Sequence, residues 1–141
     1  MLEADVAAGH TLVLPATVAR SLLPGLVVSP VSLVPKSEGK WRRIHDLTFA
    51  VGTGDSVNSS SDKGEAPPIT FGHAFDEQLE RIYRLRLAYP QQHIFQYKCD
   101  THSAFRQLRV DPHFAHMFAY RLRDLVAVEL RLTFGWCLSP A

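Results

Sequence analysis

Residues 97–112 read YKCDTHSAFRQLRVDP, and residues 132–141 read LTFGWCLSPA. Asp100 closes an apolar-aromatic run, IFQYKCD, so His93–Cys99 is expected as a strand with a carboxylate at its end. Ser103–Leu108 follows as a helical turn, with the small Ala104 and then the flat ring of Phe105. Met117–Tyr120 and Leu125–Thr133 are two more strand candidates, separated by Arg121–Asp124. The closing stretch places Gly135 before Trp136. Ser139 and Pro140 then suit the N-cap and first position of a helix.

Working outward, residues 29–49 read SPVSLVPKSEGKWRRIHDLTF. The β-branched, proline-punctuated first half suits an edge strand. The polar tip Lys36–Lys40 carries a glycine, and Trp41–Phe49 returns, so the two halves make a β-hairpin. Residues 52–68 are a loop by composition. His73–Tyr89 has the 75-79-82-83 apolar spacing of a helix, with Asp76 and Glu77 at its start and arginines towards its end, as the helix dipole favours. Pro90 ends it. Before the hairpin, Ala4–Ala8 and Ala16–Leu23 are short helices around the strand-like TLVL. The sum is an α+β fold with an antiparallel sheet packed with helices.

The chain has 141 residues, 46% apolar content and a net charge of +1. One domain with an ordinary core is the default. Near-neutral charge excludes a global basic field for nucleic acid, but Lys36–Arg43 and Arg81–Arg86 are basic islands. Cys99 and Cys137 are the two cysteines. They read as reduced thiols of an intracellular protein, cytoplasmic or nuclear, with Cys99 packed in its strand. No apolar run reaches the roughly 20 residues that a membrane-spanning helix needs. Leu22–Val34 is broken by Pro24 and Pro30.

Asp100 has two readings. A carboxylate fixed by a sheet yet open to solvent suits a hard divalent cation, and two such ions can stabilise an in-line phosphoryl displacement. It also suits a cap for the turn through Thr101 and Ser103. Phe105 is a ring beneath a sugar or a core residue. Lys36, Lys40, Arg42 and Arg43 cluster around the hairpin tip, where arginine's fork and lysine's point charge can clamp a triphosphate; a solvated face is the plainer account. Trp41 is expected to pack the hairpin onto the body. Gly135 permits close approach of backbone to a ligand or template. His113 and His116 lack the partners of a tetrahedral zinc shell. No P-loop, dinucleotide fingerprint or serine-nucleophile elbow occurs.

In order and spacing these segments resemble the reverse transcriptases of retroelements, most of all DIRS-like and related long-terminal-repeat retrotransposons, given KWRRIHDLTF followed by Ser56-Val57-Asn58. The resemblance covers Ser29–Ala141. It implies a partial fingers and palm: residues 1–28 as an N-terminal extension or the start of the fingers, 29–92 as fingers, and 93–141 as a palm cut short before the second acidic motif. It implies that Lys36 or Lys40, with Arg42, grips the incoming triphosphate, and that Asp46 lies near the template. Asp100 is implied as the catalytic metal ligand, joined by the Thr101 carbonyl. Ala104 and Phe105 face the sugar, with Phe105 as steric gate. Phe134 and Gly135 border the nucleotide pocket, and Ser139 and Pro140 grip the template.

The implied cofactor is Mg²⁺ or Mn²⁺, and the implied partners are an RNA or DNA template-primer and a deoxynucleoside triphosphate, with no membrane. His102 departs from the family pattern, as does the SSSDK that follows Val57-Asn58. Since one carboxylate cannot hold two ions, the chain is expected to be inactive alone. The alternative is a non-catalytic nucleic-acid-binding remnant of a retroelement.

Overall fold

The computed structural model describes residues 2–36, 39–50, 52, 54–64 and 72–138. The chain divides into two compact units, Met1–Ala66 with Ser103–Ala141, and Pro67–His102.

The first unit is built on a three-stranded antiparallel sheet of order β1-β5-β4, from β1 (Thr11–Pro15), β4 (Ala119–Leu122) and β5 (Leu125–Glu129). Val13 faces Ala127 across one ladder, and Tyr120 faces Ala127 across the other. Two short helices flank β1: α1 (Leu2–Ala7) and α2 (Ala16–Leu22). Pro15, with φ −54°, ends β1 and opens α2; its fixed φ suits a helix entrance. β4 and β5 turn through Arg123–Asp124, with Arg123 at φ +56°. Positive φ matches the twist of a two-residue hairpin. Ala19, Phe118, Ala119, Val126 and Val128 form the core with Leu47, Val57 and Val110.

The expected hairpin is present as β2 (Val31–Pro35) and β3 (Trp41–His45), paired Val31 to His45 and Pro35 to Trp41. Its tip closes with the Lys36 N–H donating to the Lys40 carbonyl at 2.7 Å, beside Gly39 at φ +70°. A single helical turn, α4 (Ala104–Gln107), and a 3₁₀ turn (Ala115–Met117) lead into β4. The final strand is shorter than expected. Beyond Glu129 the backbone takes other partners: the Leu130 N–H donates to His10 and that of Leu132 to Leu108.

The second unit contains α3 (Ala74–Ala88), within a residue of the expected His73–Tyr89. Asp76 and Glu77 lie in its first turn and Arg86 in its last. It buries none of its residues. The strand expected at His93–Cys99 does not form. Residues 93–100 have no regular secondary structure, and Phe95, Tyr97 and Cys99 are exposed. A strand is stable only when its N–H and C=O groups meet a partner. The described strands pair as β1-β5-β4 and β2-β3, and none pairs with this segment. Cys99 is therefore not the packed thiol expected. Among the described residues no helix is long and apolar enough to cross a membrane.

Candidate functional site

The hairpin, α4 and the turn after β5 line a half-open cavity of about 260 Å³ in the first unit. Its walls include Lys36, Trp41 and Arg42 from the hairpin, Phe105 and Arg106 from α4, and Thr133 and Phe134 from the turn. Lys36, Arg42, Phe105 and Phe134, expected together from the sequence, thus meet in one space. The Arg42 guanidinium lies over the Phe134 ring, 5.3 Å from its centroid, and Phe105 meets Phe134 edge-on at 4.4 Å. Phe105 is half-buried rather than a sealed core residue. Trp41 does not pack the hairpin down; it is 56% exposed and lines the cavity. The anchoring indole is Trp136, which meets Phe118 edge-on and donates to Ser61 Oγ at 2.9 Å.

Gly135 has φ +107°, and a Cβ there would come within 2.3 Å of the His45 carbonyl oxygen. The close approach is thus to the end of β3, where the sequence suggested a ligand or template strand. Asn58 fastens the same junction. Its side-chain amide donates to the Gly135 carbonyl at 2.8 Å, and its Oδ1 accepts from the Cys137 N–H at 2.8 Å. The Ser56-Val57-Asn58 segment therefore holds the turn that carries Phe134. Asp46 is exposed and accepts the Thr48 N–H at 3.2 Å. Lys40 and Ala104 are exposed beside the site, outside the cavity lining. Ser139 and Pro140 lie outside the described residues.

Behind the cavity is a charged network that the sequence reading missed. Glu129 is fully buried on β5 and accepts Arg43 Nη2 at 2.7 Å, Thr11 Oγ1 at 2.9 Å, and Arg106 Nη1. Asp5 of α1 sits 3.0 Å from Arg43 and 3.7 Å from Arg106. Burial works against the Arg106 charge, but the hydrogen bond and charge of Glu129 more than offset it and raise its pKa. Arg43 also covers the Tyr120 ring at 4.7 Å. Burial pushes the Tyr120 phenol up to about 12. His45, edge-on to Tyr120, is held down to about 3 by burial first, then by the nearby Arg43 and Arg106, so its imidazole is neutral. The signal in the sequence was one glutamate within the apolar LVAVEL, which no neighbour in the chain explains.

Four cations and one carboxylate line the cavity, with Glu129 beneath it. The chemistry is that of an anion site with an aromatic wall. Asp100 and Thr101 belong to the second unit and are exposed. Among the described residues no three His, Cys, Asp or Glu side chains cluster to hold a metal ion. The residues around Asp100 do not by themselves make up a divalent-cation centre.

No protein-family model matches this chain, nor does any curated protein or solved structure.

Proposed function

We propose that this chain is a fingers-and-palm portion of a retroelement reverse transcriptase, an RNA-directed DNA polymerase, and that its cavity takes a deoxynucleoside triphosphate. The supporting observation is the convergence of Lys36, Arg42, Phe105 and Phe134 from three separate stretches of chain onto one cavity. In this reading Arg42 meets phosphate oxygens through its fork while stacked on Phe134, and Lys36 adds a point charge. The Phe105 ring lies against the sugar. Asp100 would supply one carboxylate ligand to Mg²⁺ or Mn²⁺, whose charge would stabilise the transfer.

The test is calorimetric titration of the chain with dTTP. Removing a hydrogen bond to a charged group costs about 1.5–3 kcal/mol. Arg42→Ala is therefore expected to weaken binding at least tenfold with little change in thermal stability. Binding that Arg42→Ala leaves untouched would remove the reading. A second reading, a non-catalytic nucleic-acid-binding remnant, draws support from Phe95 and Tyr97, 90% and 91% exposed beside Lys98. Exposed rings next to a cation can stack on bases. Retention of a primed template that is lost on Tyr97→Ala, without dTTP binding, would favour it.

A further inference from the structure

We propose that Arg43 and Arg106 form a second phosphate subsite of the cavity, and that Asp5 keeps this subsite closed. The inference rests on reading the cavity as a phosphate site. Two guanidiniums converge on one oxygen of Asp5, at 3.0 Å from Arg43 and 3.7 Å from Arg106. All three side chains line the same cavity as Lys36 and Arg42.

Charge balance separates the two carboxylates. Glu129 is fully buried, bonded to both arginines and to Thr11, and cannot leave without abandoning them. It neutralises one of the two positive charges. Asp5 neutralises the other, from a different position: its side chain keeps 19% exposure, on a six-residue helix with no fully buried residue. No residue of that helix belongs to the hydrophobic core. An incoming phosphate presents more negative charge and more acceptor oxygens than one carboxylate, so it can take the same guanidiniums. The cavity, about 260 Å³, is large against the roughly 30 Å³ of a water molecule and has room for such a group. α1 also lies outside Ser29–Ala141, the stretch that carries every site residue the resemblance names. Here it acts as a strap across the nucleotide pocket.

The experiment measures binding of inorganic tripolyphosphate and of dTTP to the native chain and three variants, each first checked by a thermal melt. Asp5→Asn keeps the shape and removes the charge; it is expected to bind both probes roughly tenfold more tightly. Asp5→Glu keeps the charge and is expected to retain native affinity. Adding Arg106→Gln to Asp5→Asn is expected to abolish the gain. An Asp5→Asn affinity equal to or below native, or a gain that survives Arg106→Gln, overturns the proposal. If the native chain binds dTTP and Asp5→Asn gains nothing, the strap alone fails. A gain on tripolyphosphate with no preference for dTTP supports the subsite and counts against the nucleotide reading. Binding of neither probe by any of the chains overturns both.

Discussion

β5, with the sequence LVAVE, buries Val126, Ala127, Val128 and Glu129, whereas residues 93–99, HIFQYKC, leave Phe95 and Tyr97 exposed. Both stretches are short and rich in strand-forming residues; β5 ends on a carboxylate, and residues 93–99 are followed by one, Asp100. β5 lies between β1 and β4, so its backbone is paired on both edges. Its carboxylate meets Arg43, Arg106 and Thr11. Among the described residues no strand pairs with 93–99, so the strand-like pattern there carries no burial. The difference teaches that a strand pattern is an offer of one face, and that a pairing partner decides whether it is used.

The sharpest way to break this comparison is to remove the buried carboxylate. Glu129→Ala leaves two guanidiniums at the back of the cavity without their shared partner. Breaking such a buried pair costs about 3–5 kcal/mol. The urea midpoint of Glu129→Ala is expected to fall accordingly; a loss below about 1 kcal/mol would mean that the network is solvated and β5 is no different in kind.

The next effect is one of pH. The His45 pKa is lowered from 6.5 to about 3, by burial first and then by Arg43 and Arg106. Between those values the unfolded chain binds a proton that the folded chain excludes. This contribution is complete above pH 6.5 and is lost as the pH falls towards 3, by at most about 1.4 kcal/mol per pH unit. Denaturant titrations between pH 7 and 4.5 should show this slope, and His45→Gln should flatten it.

A smaller change sharpens the site. Phe105→Val in the half-buried cavity wall is expected to cost about 1 kcal/mol of stability, less than a sealed core position loses. If the ring contacts the sugar, the same variant raises binding of ribonucleoside relative to deoxyribonucleoside triphosphates. An unchanged ratio would leave Phe105 as packing alone.

The smallest effect belongs to the other half of the comparison. Phe95→Ser and Tyr97→Ser remove side chains that are already solvated, and each should change stability by less than about 0.5 kcal/mol. A larger loss would show that these rings are buried in solution.

By itself the sequence determined whatever depends on neighbours in the chain. Glycine at the tip between two β-rich runs suffices for the β2–β3 hairpin, because turn geometry and strand twist are local. The 75-79-82-83 spacing, with acids first and arginines last, suffices for α3. The chemistry available to Lys36, Arg42 and Phe105 was likewise legible from residue type, whereas Phe134 was named only through the family resemblance.

Tertiary structure alone decided the rest, because each remaining feature joins residues far apart in the chain. Glu129 meets Thr11 across 118 positions and Arg43 across 86, and nothing near any of them announces the others. Asp5 reaches the cavity only because α1 precedes β1, the strand that pairs with β5. Gly135 has to be glycine on account of the His45 carbonyl, a contact invisible in LTFGW. The residues at 93–99 read as a strand and are not one, since strand formation is settled by the backbone groups that lie alongside. Local propensity is written in adjacent residues; burial, charge pairing and close backbone approach exist only once distant segments share a space.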